Sequence, residues 1–272
     1  MTPERAAMQR RLDLAIRLAD DIDRMSLEWY QSPDLPVEVK SDGSVVTHVD
    51  RDAEAHIRRA VASACPDDGV LGEEFDETLG ISGWRWVIDP IDGTDSFTRG
   101  IPHYCTLIGI EFERKPWIGV ASFPAMRERL QAVRGGGAMW QTATGTMRQA
   151  QVSSVAEMHD AVVELGAPRA FERHGVMDAR DQISARSRRV RGWSDGYAYA
   201  LVATGRVDAA VQVGLKVWDY CAFVPIINES GGHMRRWRGT ADGRVVERIQ
   251  ASTPGIATAL DGCFGDETEP LE

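Results

Sequence analysis

Four acidic residues in this sequence stand where strands end or helices begin, and their arrangement suits a hard cation. The densest chemical signal is Trp86-Val-Ile-Asp-Pro-Ile-Asp-Gly-Thr94. Its apolar run predicts a strand that delivers Asp89 at its carboxyl end. Pro90 stiffens the turn, and Asp92 re-enters three residues later. Two carboxylates so placed can share one cation or bind two neighbouring ones, with the Ile91 carbonyl as a further oxygen. Gly93 and Thr94 offer backbone N–H groups at the start of a short helix, a seat for a phosphate oxygen. Alone, Asp-Pro and Asp-Gly are also ordinary turn dipeptides.

Two more acids weigh against a plain turn. Glu73 follows the short apolar strand Val70-Leu71, and Asp219 opens a helix after Trp218. Singly, Glu73-Glu74 reads as surface charge and Asp219 as a helix cap. Together with Asp89 and Asp92 they form an all-oxygen, histidine-poor set, which suits magnesium and not zinc. Without cations such carboxylates repel one another, so the pattern implies bound metal.

The elements that must position these residues can be read from periodicity. Met8, Leu12, Ala15, Ile16, Ala19 and Ile22 predict an amphipathic N-terminal helix, neither a signal peptide nor a membrane span. Val37–Val39 predicts a strand, and Lys40-Ser-Asp-Gly-Ser44 a turn. Thr47 or Asp50 could cap a helix reaching about Ala64. Strands follow at Trp84–Ile88, Thr106–Phe112, Trp117–Phe123 and Leu130–Arg134. The stretch from Thr142 to Ala150 is polar and aperiodic, so a change of subdomain is placed there, dividing the chain into 1–145 and 146–272. Beyond it come a strand at Ala161–Leu165, a helix at Gly175–Ser184, and a strand at Arg188–Arg191. A helix at Gly196–Thr204, a strand at Ala209–Val213, and an apolar helix from Trp218 to Gly231-Gly232 complete the reading. Strands and helices alternate in layers, with carboxylates at strand ends.

Composition narrows the partners. The 272 residues are 43% apolar and 26% charged, with a formal net charge of −10. That balance fits a soluble globular protein and disfavours wholesale binding to nucleic acid or to an anionic membrane. The basic run Arg186, Arg188, Arg189 and Arg191 reads as a solvated face or edge strand. Cys65, Cys105, Cys221 and Cys263 are scattered, giving neither a metal signature nor a disulfide framework, so a reduced, cytoplasmic protein is expected. The acidic tail from Gly265 to Glu272 is expected to fray. Trp84, Trp86 and Trp218 read as core anchors, and His48 and His103 receive no role.

These motifs, in this order, resemble the inositol monophosphatase family. Leu71-Gly-Glu-Glu74, Asp89-Pro-Ile-Asp-Gly-Thr94, Val217-Trp-Asp219 and Glu229-Ser-Gly-Gly232 carry the resemblance. Lys40-Ser-Asp-Gly-Ser44 and Val46-Thr-His-Val-Asp50 resemble the family's N-terminal element. The resemblance implies an α/β fold, a layered α-β-α-β-α sandwich, with two to three Mg2+ ions. Glu73, Asp89 and the Ile91 carbonyl would hold one ion, and Asp89, Asp92 and Asp219 a second. Asp50 would support a weaker third. Glu73 and Thr94 would orient the attacking water for in-line displacement at phosphorus, with no phosphoenzyme. A homodimer is expected.

Within the family, Gly192-Trp-Ser-Asp-Gly-Tyr-Ala-Tyr-Ala-Leu-Val-Ala-Thr-Gly205 and Arg99-Gly-Ile-Pro102 look most like histidinol-phosphate phosphatases. Asp195 falls where those enzymes carry an acid facing the substrate. Three departures stand out: Asp95-Ser96 replaces the usual Lys-Asn, Gln212 takes a position usually acidic, and Ser194 replaces a common glycine. Losing an acid at 212 weakens recognition of an amine, and Asp95 could partly restore it. A neutral inositol or sugar phosphate would suit Gln212 better. A nucleotide 3′-phosphatase is invited only by the arginine run. A catalytically idle relative would have lost Glu73, Asp92, Thr94 or Asp219, and none is lost.

Overall fold

A computed structural model describes residues 3–41, 43–193, 195–241, 244–265 and 269–271. Asp42 of the expected turn, Ser194, and Asp266–Thr268 and Glu272 of the acidic tail lie outside the described residues.

Helix α1 (Pro3–Trp29) turns the expected apolar stripe inward, burying Leu12, Ala15, Leu18, Ala19 and Ile22. A hairpin of β1 (Val37–Val39) and β2 (Val45–Thr47) leads into α2 (His48–Ala64). Thr47 caps α2 in a reciprocal box with Asp50, so both caps named from the sequence belong to one device. Then come β3 (Gly69–Gly72), β4 (Trp84–Asp92), the short α3 (Thr94–Thr98), β5 (Cys105–Phe112), β6 (Lys115–Phe123), β7 (Glu128–Val133), β8 (Ala138–Gln141) and β9 (Met147–Gln149). They form a seven-stranded sheet in chain order, with β3 parallel to β4 and every later pair antiparallel. The polar stretch at 142–150 therefore contains β9, a fully exposed edge strand with no buried face to imprint a period.

The rest of the chain builds a second sheet. Its elements are β10 (Val162–Leu165), α4 (Pro168–Arg173), α5 (Met177–Arg186), β11 (Arg189–Arg191), α6 (Asp195–Ala203), β12 (Ala209–Val213), α7 (Val217–Tyr220), α8 (Phe223–Glu229), β13 (His233–Ala241), β14 (Arg244–Ser252), α9 (Ala257–Asp261) and β15 (Glu269–Pro270). Strand order is β11-β10-β12-β14-β13-β15. The arginine run ends in β11, an edge strand as expected. The single apolar helix expected after Trp218 is two helices, because Pro225 has no N–H for the helical bond back to Cys221. The β13–β14 hairpin has no counterpart in the sequence reading. The tail is tied at its described end: β15 pairs with β13, and the Leu271 N–H donates to the Met234 carbonyl at 2.9 Å.

Three apolar clusters join these parts in five layers. One packs α1 and α2 on the seven-stranded sheet. A second sandwiches α6 and α8 between the two sheets. The third covers the outer face of the six-stranded sheet with α4, α5 and α9. This is the expected α-β-α-β-α sandwich. The middle layer sits tight: a Cβ on Gly119 of β6 would stand 1.9 Å from the Ala222 carbonyl. This close approach sets the junction where α7, which carries Asp219, ends and α8 begins.

Candidate active site

Where β4 leaves the first sheet, its register against β5 shifts between Asp89 and Asp92. This bulge aims both acids to one end of the strand. The Thr106 hydroxyl donates to the Pro90 carbonyl at 2.9 Å, and the Ile91 N–H to Asp89 Oδ1 at 3.2 Å, so the bulge is held from both sides. Gly93 follows with φ of 77°, and a Cβ there would lie 2.8 Å from the Asp195 carboxylate. Glycine is required at 93 on both counts.

A cleft of about 400 Å³ opens here. Glu73, Asp89, Ile91, Asp92, Gly93, Thr94, Asp95, Asp195, Gln212 and Asp219 all line it, so ten of the eleven residues expected from the sequence meet on one surface. The eleventh, Asp50, is buried behind it. One of its oxygens closes the α2 cap, and the other accepts the Thr94 hydroxyl at 3.0 Å. Asp50 thus reaches the cleft through Thr94, which also donates to the Ile91 carbonyl at 3.0 Å. Trp84, Trp86 and Trp218 do not line the cleft, and Trp86 is fully buried.

At the heart of the cleft, carboxylate oxygens of Asp89, Asp92 and Asp219 lie within 4.8 Å of one another. Each is held by its own support. The Lys216 N–H donates to Asp219 Oδ2 at 2.7 Å, and both the Gly196 N–H (2.6 Å) and the Cys105 thiol (3.2 Å) donate to Asp92 Oδ2. Burial, reinforced by Glu73 and Asp92, pushes Asp89 well above the usual carboxylate range. Burial also raises Asp92 strongly, with Asp195 and Asp219 adding to it. Asp219 is pushed up to about 7, by burial first and then by Glu73, against the Lys216 N–H. Two buried carboxylates and a half-buried third, crowded so that they raise one another's proton affinity, are a cost that a divalent cation would remove. Their all-oxygen donor set can hold a metal ion.

Glu73 stands outside this tight group. Its Oε1 accepts from Lys40 Nζ at 2.9 Å, and the same ammonium reaches Glu74 at 2.5 Å. The loop carrying both glutamates is shaped by Glu54, a fully buried acid that accepts the backbone N–H groups of Glu74 (2.8 Å) and Phe75 (3.2 Å) and pairs with Arg58 at 2.8 Å. The sequence reading missed Glu54, although an acid one residue along from Ala53 on the apolar stripe of α2 was a visible signal. It also missed Cys105, for which no sequence signal exists, and Ser44, Val45, Tyr199 and Leu215 in the cleft wall.

The opposite wall comes from the second sheet. Asp195 opens α6 with φ of 53°, a left-handed conformation uncommon for a residue with a side chain. Its Oδ2 accepts the Ser96 hydroxyl at 3.2 Å, and its backbone carbonyl accepts the Gln212 amide at 3.1 Å. Burial raises the Asp195 carboxyl, opposed by Ser96 and by His103. His103 stacks on Tyr197 with ring centres 5.2 Å apart. Asp95 sits at the exposed rim, and its Oδ2 accepts Arg99 Nε at 2.9 Å.

Residues 8–263 match the sequence profile of the inositol monophosphatase family. A histidinol-phosphatase of Chlorobaculum parvum is 38% identical over 88% of both chains, and one of Mycobacterium tuberculosis is 35% identical over 94% of this chain and 95% of its own. The crystal structure of the extragenic suppressor protein suhB of Bartonella henselae superposes with a TM-score of 0.83 at 28% identity, covering 94% of this chain and 98% of that one. No helix among the described residues is long and apolar enough to cross a membrane. The chain belongs to the inositol monophosphatase family, and its reaction class is the hydrolysis of phosphoric monoesters.

Proposed function

We propose that the chain hydrolyses histidinol phosphate, using two to three Mg2+ ions held by Glu73, Asp89, the Ile91 carbonyl, Asp92 and Asp219. The observation that carries this reading is the carboxylate trio lying beside the backbone of Gly93 and Thr94 in one cleft. Magnesium held by those carboxylates would supply Lewis acidity for activating a water and for offsetting charge on the leaving oxygen. Gly93 and Thr94 hold the phosphate. Glu73 and the Thr94 hydroxyl, steadied by Asp50, orient the attacking water. Asp195, with Asp95 at the rim, receives the cationic alcohol part. In this scheme residues 1–145 bring most metal ligands, and residues 146–272 bring Asp219 and the substrate wall.

A second reading rests on Gln212. Its amide is spent on the Asp195 backbone carbonyl and adds no negative charge to the wall, which suits a neutral inositol or sugar phosphate. Phosphate release measured over histidinol phosphate, inositol phosphates, sugar phosphates and adenosine bisphosphate separates the two. A preference of tenfold or more in kcat/KM for histidinol phosphate is expected, and a preference for a neutral ester would replace the first reading with the second. Activity should vanish on chelation and return with magnesium; full turnover in excess chelator would sink the metal assignment. A cytoplasmic location and a homodimer belong to the same proposal, the first supported by four unbridged cysteines. Sedimentation at micromolar concentration tests the second.

A further inference from the structure

Behind the active site, a second cleft of about 560 Å³ is lined by Arg85, Arg114, Lys115, Arg236 and Arg238. Only two carboxylates share its lining, Glu111 and Glu247, with Glu77 bridging Arg85 and Arg114 from outside. In a chain of net charge −10, this is a local surplus of positive charge. Lys115 makes no ion pair among the described residues. It follows the two-residue turn Glu113-Arg114, where both residues take left-handed φ values of 50° and 65° without being glycine. That backbone strain is retained in the hairpin that presents Arg114 and Lys115 at the cleft.

The floor of this cleft is α7. Val217 and Tyr220 line it, and Asp219 lies between them in sequence. The helix touches two of the charged pairs. Tyr220 shares the cleft wall with Arg236, which pairs with Glu247 at 3.6 Å. At the other end, Cys221 Sγ meets Glu111 at 3.8 Å, and Glu111 takes Arg85 at 2.7 Å.

We propose that this cleft binds a small polyvalent anion carrying adjacent phosphate groups, and that binding steadies α7 and with it Asp219. A concave site of this volume suits a small molecule better than a flat macromolecular face. Its spread of guanidinium groups suits several phosphate oxygens at once. Drawing Arg236 and Arg85 toward the ligand acts on Tyr220 and Cys221, one and two residues beyond Asp219 at the C-terminal end of α7. The binding claim stands apart from the proposed substrate. Only its consequence for catalysis rests on Asp219 as a metal ligand.

Sodium tripolyphosphate titrated into metal-free protein at low ionic strength tests binding by calorimetry. Without metal, the carboxylate-lined active site repels such an anion, so the titration reads the second cleft. One site is expected, weakened at least tenfold in the double variant Lys115→Glu, Arg238→Glu. Both positions are at the surface, and a thermal melt checks that the variant is folded. Asp92→Asn should bind as the parent does. Absence of binding, equal binding by the double variant, or loss through Arg189→Glu instead would overturn the site. Hydrogen exchange of the peptide spanning 215–223 should slow when tripolyphosphate binds. Unchanged exchange with binding intact would overturn the coupling to α7.

Discussion

The two walls of the active cleft are held by different means. On the side of the acidic trio, Asp89 and Asp92 are buried and Asp219 half-buried, each carboxylate fixed by a backbone N–H donor, with the Cys105 thiol added at Asp92. On the facing side, Asp195 depends on a left-handed backbone and a serine hydroxyl, Gln212 is spent on a carbonyl, and Asp95 is tied to Arg99 in solvent. One wall is preorganised for charge, and the other can be retuned by single substitutions at little cost to the fold. A family that keeps one reaction while varying its substrate would need this division.

The largest effect should come from the preorganised wall. Asp92→Asn removes a ligand charge shared within the trio. Losing a residue that merely supports a ligand costs about 10–100-fold, so kcat/KM for this variant should fall by more than about a hundredfold. An Asp92→Asn enzyme within tenfold of the parent would show that the trio is not the metal seat.

Next in size is Asp195→Asn. If the substrate is cationic, loss of a charge-assisted hydrogen bond of about 1.5–3 kcal/mol should lower kcat/KM by about 10–100-fold. Gln212→Glu should shift preference toward histidinol phosphate over a neutral ester. If neither variant moves the ratio between the two esters, the substrate wall lies elsewhere.

Cys105→Ala tests the support of Asp92. A thiol is a weak donor, so the low end of the range applies, and magnesium affinity by calorimetry should weaken by about tenfold. Cys105→Ser should restore it. Equal affinity in all three proteins would leave Gly196 as the support that matters.

The pH dependence separates charge from fold. Asp219 has its folded pKa raised to about 7, above the unfolded value of about 4. Its contribution to the stability of metal-free protein is therefore present at low pH and lost as pH rises through 7. Asp89 and Asp92 shift in the same direction. The Tm of metal-free protein should fall between pH 5 and pH 8, while the gain from added magnesium should grow over that range, because protons and metal compete for the same oxygens. A Tm independent of pH in the metal-free state would contradict the burial of the trio.

The smallest effect belongs to Asp95→Asn. An exposed ion pair such as Asp95–Arg99 contributes about 0–1 kcal/mol, so kcat/KM should change by no more than about fivefold. A larger loss would move Asp95 from the rim into substrate contact.

The sequence by itself made the family and the acidic motif of the cleft legible. Asp89-Pro-Ile-Asp-Gly-Thr94 was legible because a strand end, a proline and a left-handed glycine leave a local signature, although Thr106 of β5 completes its bulge. The helices α1 and α2 were legible for a similar reason: each buries one face and exposes the other, so the core imprints its period on the chain. Edge strand β9 and the β13–β14 hairpin were not legible, because at β9 no face is buried and in the hairpin the pairing partner supplies the order. Only the tertiary structure decided that Cys105 and Gly196 support Asp92, that Glu54 shapes the Glu73 loop, and that Lys40 occupies Glu73. Those contacts join residues between 13 and 104 positions apart in the chain, and no local pattern records a partner that arrives from another element.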